Sequence, residues 1–281
     1  MSIRLSIVIV TWNSEGEIVP CLDSIAKEGM DVVEVIVVDN ASKDNTRELL
    51  GAFQNVTLIL NGTNLGYTKA CNQGIERSTG EYVLLLNPDT IIYDNALDNL
   101  LDYVNKNDLS AAAPQLLNED MTIQHSCRTL PGYWDMFCEM TLLSAIFPKS
   151  RLFSRWKMRY FDHDSVREVE QPMAAALLIK KSVLDEVGMM DERYKMFFND
   201  VDLCKKLKDA GYKIMFYPGA KIIHSKGRSI YKDRKNMIRV WNKDCLKYFK
   251  KYHYNFILYP LLSFGIHFTG FFRTLFAKSN S

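Results

Sequence analysis

Leu5-Ser6-Ile7-Val8-Ile9-Val10-Thr11 is a short β-branched run, apolar on both faces, and it ends in the polar residues Trp12-Asn13-Ser14. A strand covered on both sides of a parallel sheet has this character. Val32 to Asp39 repeats it, and Val56 to Leu60 and Tyr82 to Leu86 read as a third and a fourth strand. Helix signals fill the gaps. Ser14 and Glu17 have the spacing of a capping box ahead of a helix through Ile25. Ser42 or Asp44 caps the next, to about Phe53, and Lys69 to Ser78 reads as a third.

Strands alternating with helices imply βαβ units, right-handed crossovers and a mainly parallel sheet flanked by helices. Ligands of such sheets bind beyond the carboxyl ends of the strands. The residues just past the four strands are Thr11 and Asn13, Asp39 and Asn40, Asn61 and Asn64, and Asn87 and Asp89. Eight small polar groups delivered to one edge is the pattern of a site.

Farther on, residues from Asn118 to Glu170 are irregular and rich in aromatics, Trp134, Phe137, Phe147, Phe153, Trp156, Tyr160 and Phe161 among them. They suit acceptor contacts, a membrane-facing surface or plain core packing. Met173 to Ile179 restores an apolar strand, and Ser182 to Val187 is a short helix stopped by Gly188. Asn199 to Ala210 is a helix with Leu203, Leu207 and Ala210 on one face and Gly211 as its stop. Strands follow at Lys213 to Tyr217 and near Ala220 to His224.

The tail from Trp241 joins a basic stretch (Lys247, Lys250, Lys251) to an apolar run from Phe256 to Phe272, interrupted by Pro260, Gly265 and His267. At about 17 residues the run is at the low limit for spanning a bilayer. The reading is an interfacial segment with snorkelling lysines, with a helix packed on the catalytic domain as the alternative.

Bulk composition excludes several classes. Hydrophobic residues are 47% and charged residues 24% of the 281, which is ordinary for a globular protein. A formal net charge of +2 gives no reason to expect nucleic-acid binding. The six cysteines form no CxxC pair and no zinc-finger spacing, so they read as reduced, mostly buried thiols of a cytosolic protein. The first apolar run is too short for a signal peptide.

Several stretches carry a resemblance: residues 6–13, Val37-Val38-Asp39-Asn40-Ala41-Ser42, Asn64-Leu65-Gly66-Tyr67, Leu86-Asn87-Pro88-Asp89, Phe198-Asn199-Asp200-Val201-Asp202-Leu203-Cys204, and Ala210-Gly211-Tyr212 followed by His224 and Gly227-Arg228-Ser229. In this order they resemble the inverting family 2 glycosyltransferases of the GT-A fold, in particular the rhamnosyltransferase-like branch, across residues 3–230. Three positions depart from the family pattern. Thr68-Lys69-Ala70-Cys71-Asn72 replaces a glycine-rich segment, Asn199 replaces the first acid of an acidic pair, and Ala174-Ala175-Ala176 stands where Ser-Gly-Ala is common.

The resemblance implies an α/β catalytic domain over 1–235, with a donor half to about 117 and an acceptor half from 118, and the basic-apolar tail adds the expectation of a helical, membrane-associating extension over 236–281. It implies a nucleotide-diphospho-sugar donor, dTDP-L-rhamnose in this branch, with UDP- and GDP-sugars compatible. The acceptor is then a glycan or lipid-linked sugar at the cytoplasmic face of the cell membrane, in polysaccharide assembly. Asp89 becomes the last residue of a DxD-like motif that holds Mg²⁺ or Mn²⁺, whose charge neutralises the departing diphosphate. His224 joins the metal or the diphosphate, or is a structural histidine at a strand end. Donor contacts fall to Thr11, Asn13, Asp39, Asn64, Gly66, Asn72 and Asn87, with Asp39 accepting from a pyrimidine ring and Arg228 reaching the diphosphate.

Asp200 is the general base. A sugar hydroxyl must lose its proton as it attacks the anomeric carbon, and one carboxylate suffices for a single inverting displacement. Asp202 is turned away from Asp200 by the helix and supports the structure or a neighbouring cation. Three rivals remain. Asn199 hints at a catalytically silent nucleotide-sugar or glycan-binding protein of the same fold. A nucleotidyltransferase would carry a Gly-rich basic loop where Thr11-Trp12-Asn13-Ser14 stands. A dinucleotide enzyme would show G-x-G-x-x-G, where only Gly16 occurs.

Overall fold

The computed structural model describes residues 4–29, 33–225 and 234–276. Its main sheet has nine strands, eight of them in the order β3-β2-β1-β4-β10-β6-β11-β5, with β8 pairing on β11. β1 (Leu5–Thr11), β2 (Val33–Asp39), β3 (Val56–Leu60) and β4 (Tyr82–Leu86) are the four expected strands, all parallel. The rest of the sheet is mixed. β10 (Ala176–Lys180) runs antiparallel to both β4 and β6 (Ala111–Leu117), β6 pairs parallel with β11 (Ile214–His224), and β5 (Thr90–Tyr93) and β8 (Arg167–Val169) lie antiparallel to β11. The two strands expected near 213–217 and 220–224 are one strand whose register shifts between Tyr217 and Lys221, around Pro218-Gly219. A separate ribbon pairs β7 (Cys127–Arg128) with β9 (Gln171–Pro172).

Helices α1 (Ile18–Lys27), α2 (Thr46–Leu50), α3 (Tyr67–Arg77) and α4 (Ala96–Lys106) cover the sheet. The capping box expected at Ser14 does not form. Glu17 is the residue before α1, and the carbonyl of Ser14 receives the N–H groups of Glu17 and Ile18. Asp44 does serve α2, since its Oδ1 accepts from the Thr46 N–H at 3.1 Å. α3 lies close on the sheet because Gly74 faces Val8, whose Cγ1 a Cβ at position 74 would overlap.

α5 (Tyr133–Met140), α6 (Leu143–Ile146), α7 (Lys181–Val187) and α8 (Asn199–Asp209) follow. Leu203 and Leu207 are buried as their spacing predicts, whereas Ala210 is exposed, because α8 ends at Asp209 and the chain turns away at Gly211 (φ 85°). The last helices are α9 (Arg234–Tyr252) and α10 (Leu258–Leu275). α9 is part of the catalytic body, since Cys245, Tyr248 and Phe249 are fully buried in a core with Met136, Tyr194, Phe198 and Val201. Of these two helices, α10 is the one that turns large apolar side chains toward solvent. All six cysteines are buried and unpaired, and burial pushes the thiols of Cys21, Cys71 and Cys127 up to about 12.

Candidate active site

A cavity of about 710 Å³ opens at the carboxyl ends of β1, β2 and β4, where a parallel sheet exposes its strand-end residues. Its wall includes Trp12 after β1, Asn40 after β2, Asn64 and Gly66 ahead of α3, and Asn87, Pro88 and Asp89 after β4. Across from them stand Asn199 and Asp200 at the start of α8, His224 at the end of β11, and Met237, Val240 and Trp241 from α9. Asp89 and Asp200 thus face one space.

His224 is held beside Asp89 by the sheet. The β11–β5 ladder pairs His224 with Thr90, and the Ser225 N–H donates to the Asp89 carbonyl at 2.8 Å. The imidazole Nδ1 lies 2.7 Å from Oε1 of Gln124. That amide is oriented by its own Nε2, which donates to Asn118 Oδ1 at 2.9 Å and to the His224 carbonyl at 3.2 Å. Oε1 can only accept, so Nδ1 carries a hydrogen and Nε2 is the nitrogen turned toward Asp89. Nε2 lies 3.4 Å from Asp89 Oδ1, with Asn87 Nδ2 also 3.4 Å from Nε2. A divalent cation suits such a pair, and an imidazole held by a second partner is the usual form of a histidine ligand. No group of three His, Cys, Asp or Glu side chains suited to a metal occurs among the described residues, so a cation here would complete its shell with substrate oxygens and water.

Asp200 stands at the N-terminal end of α8, which begins after Phe198 in the left-handed conformation (φ 59°). Its Oδ1 accepts from the Val201 N–H at 2.8 Å and its Oδ2 from Gln171 Nε2 at 3.0 Å. Burial holds its carboxyl above the ordinary carboxylate range, against the opposing pull of the Val201 N–H, Arg128 and the Ala174 N–H. The Tyr67 phenol is raised well above its ordinary value, first by burial, then by Cys71 and the charges of Asp200 and Asp89. Tyr67 therefore feels both carboxylates from the cavity wall. Tyr67 has no legible role in the Asn64-Leu65-Gly66-Tyr67 motif, because nothing in the order of residues shows what a helix N-terminus faces.

Asn199, in place of an acid, has a different task. Its Nδ2 donates to Thr68 Oγ1 at 3.0 Å and its Oδ1 accepts from the Asp200 N–H at 2.6 Å, tying α8 to α3. Asp202 is buried and structural, bonded by Lys251 at 2.5 Å and the Tyr252 hydroxyl at 2.8 Å, so it fastens α9 to α8.

Four expected donor contacts lie outside the cavity wall. Asp39 is fully buried and its carboxylate is committed to the Arg47 guanidinium, the Ser42 N–H and the Thr11 hydroxyl. Asn13, at φ 54°, accepts from the Lys43 N–H and closes the same turn. Asn72 bonds both ways with the Met190 backbone. These side chains shape the loops, and Trp12 and Asn40 occupy the wall in front of them. Asn64 is at the wall, its Oδ1 accepting from Asn40 and the Gly66 N–H, and Gly66 needs its positive φ (87°) to begin α3 there. Arg228 lies outside the described residues.

The glycosyl transferase family 2 model matches residues 6–166, more than half of the chain. The chain belongs to glycosyl transferase family 2. Its relatives in the family include rhamnosyltransferases. It is 28% identical over 242 residues to N-acetylglucosaminyl-diphospho-decaprenol L-rhamnosyltransferase of Mycobacterium tuberculosis, covering 82% of this chain and 78% of that one. It is 24% identical over 230 residues to the dTDP-rhamnosyl transferase RfbF of Shigella flexneri, covering 81% and 71%. Among solved structures it resembles S. aureus TarS 1-349 (TM-score 0.56, 17% identity, covering 99% of this chain and 73% of that one). It also resembles GalNAc-T7 solved with UDP, GalNAc and Mn²⁺ (TM-score 0.61, 16% identity, 88% and 50%). Both likenesses are of fold, and the family 2 domain here is a GT-A domain.

Proposed function

We propose that this family 2 glycosyltransferase moves a sugar, with L-rhamnose from dTDP-L-rhamnose as first candidate, onto a hydroxyl of a glycan or lipid-linked acceptor, inverting the anomeric centre. The observation that carries the reading is the placement of Asp89 and Asp200 on one cavity. Asp200 takes the proton of the acceptor hydroxyl, and its raised pKa makes it a stronger base than an exposed aspartate. Its ion requires no covalent intermediate, because the hydroxyl attacks from the face opposite the leaving diphosphate. Asp89 and His224 Nε2 would hold Mg²⁺ or Mn²⁺, which supplies positive charge to the diphosphate when bound. Asn87, Asn64, Gly66, Asn40 and Trp12 line the donor side. The dTDP-rhamnose preference is supported by the names of the two rhamnosyltransferase relatives.

The deciding experiment is product formation from dTDP-, UDP- and GDP-sugars with Mn²⁺, after thermal-shift screening picks the nucleotide that stabilises the protein. Binding of a nucleotide sugar with no transfer or donor hydrolysis favours the silent-binding alternative that Asn199 suggested.

The reading extends to the inner face of the cell membrane. No helix among the described residues is long and apolar enough to cross a bilayer. α10 instead buries Leu262, Ile266 and Gly270 against the body and exposes Phe264 (71%), Phe268 (55%) and Phe271 (65%). Exposed Phe137, Leu142, Ile146 and Phe147 come from the adjoining α5–α6 segment, beside the exposed cations Lys149 and Arg151. An apolar face with flanking cations suits peripheral contact with an anionic membrane surface.

A further inference from the structure

The β7–β9 ribbon crosses the acceptor side of the cavity and sets Arg128 directly opposite Gln171 in its antiparallel register. Opposite residues of such a ladder present their side chains on one face. The ribbon is held firmly, because the Cys127 N–H donates to Nε2 of buried His163 at 3.0 Å while the His163 ring also bonds the Phe161 carbonyl. Arg128 stacks its guanidinium over Trp156, 5.1 Å from the ring centroid. Among the described residues that guanidinium has no hydrogen bond or ion pair, and it lies half-buried on the cavity wall within the field of Asp200.

Gln171 is half-used in the same way. Its Nε2 donates to Asp200 Oδ2 and to the Pro172 carbonyl, which fixes the orientation of the amide. Its Oε1 is buried with no partner among the described residues. A buried acceptor without a partner is costly in a folded protein unless a ligand meets it, and beside it the Arg128 donors are open to the cavity next to Asp200.

We propose that Arg128 and Gln171 form an acceptor subsite that takes a glycan carrying an oxyanion, phosphate or carboxylate, near the hydroxyl that reacts. The subsite rests on the reading of Asp200 as base and names the chemistry of the molecule presented to it. The guanidinium donates two parallel hydrogen bonds to the oxyanion, which a planar fork does better than an ammonium. Gln171 Oε1 accepts from a sugar hydroxyl, and its Nε2 keeps Asp200 aimed at the neighbouring one. Trp156 offers its remaining edge to the sugar ring. Arg128 lies on the Asp200 side of the cavity, so the oxyanion it binds is not the diphosphate of the donor.

The test uses the full chain saturated with the nucleoside diphosphate and Mn²⁺ that raise its melting temperature most. Methyl diphosphate, methyl glucuronide and neutral methyl glucoside are then titrated separately by calorimetry. The expected result is a second saturable binding event for at least one charged probe, at least about tenfold tighter than for the neutral one. It should vanish in Arg128→Met, return in part in Arg128→Lys, and leave the first, nucleotide event unchanged in both. A response to methyl diphosphate alone assigns a phosphate-bearing acceptor, and one to the glucuronide alone an acidic glycan. No second event in the wild type, equal affinity for the neutral probe, or weakened nucleotide binding in Arg128→Met overturns the proposal. The parent reading fails separately, by absence of the nucleotide event or by undiminished turnover in Asp200→Asn. Gln171→Leu and Gln171→Glu give a second route if Arg128→Met does not fold: both should weaken charged-probe binding, the glutamate more so. Equal binding in all three proteins overturns the assignment of Gln171.

Discussion

Asp200 is asked to be ionised in a place that resists ionisation. Its folded pKa lies above its unfolded value, so the ion weakens the fold at pH values above the ordinary carboxylate range. Asp200→Asn should therefore lower kcat by about 10²- to 10⁴-fold, as expected for a lost general base. The same variant should keep nucleotide affinity and melt no lower than the wild type. Calorimetry and a thermal scan check both, and a variant of full activity removes the assignment. The pH dependence follows with the same sign: the acid limb of kcat/KM should lie above about pH 3.9, the unperturbed aspartate value. Arg128→Met should move it higher still, because Arg128 favours the ion. At the opposite wall, Asp89→Ala should weaken donor and Mn²⁺ binding together. Gln124→Ala, which frees the His224 ring to turn, should weaken Mn²⁺-dependent donor binding by about 10- to 100-fold with little change in its absence.

At the scale of elements, what the sequence disclosed follows from how local the cause is. The strands from Leu5 and Val33 declare themselves because a buried parallel strand is apolar throughout. The stop of α7 at Gly188 (φ 80°) is equally local. β7 and β9 are two residues each, too short for any periodicity, and β6 has a proline at its centre, so neither showed in the sequence. The same reason divides the site. Asp89 and Asp200 were legible from motifs, whereas Arg128 and Gln171, 43 positions apart by the difference of their numbers, meet only through strand pairing. His163 gives this region a pH dependence. Burial lowers its pKa to about 4, so the ribbon is supported by the neutral ring, and stability should fall as pH drops from about 6.5, the ordinary histidine value, toward about 4. Urea midpoints measured across that window should slope less in His163→Gln. α9 belongs to the same body: Phe249→Ala should cost about 3–5 kcal/mol, as for other buried aromatics, read by urea denaturation.

For the whole molecule, α9, which straddles the expected boundary at residue 236, supplies cavity wall and core while α10 supplies the exposed apolar face. The proposed membrane contact is thus to be separated from catalysis by substitution and not by truncation. Replacing Phe264, Phe268 and Phe271 with serine should sharply reduce co-sedimentation with anionic phospholipid vesicles while preserving turnover of a soluble acceptor. Undiminished sedimentation would remove α10 from the contact. The order of assembly follows from the Asp202 clasp on Lys251 and Tyr252. A ribosome that has delivered residues only as far as β11 has made both Asp89 and Asp200, but not the helix that braces α8. On the growing polypeptide the two carboxylates exist before their enclosure does, and the chamber closes only once α9 has been delivered.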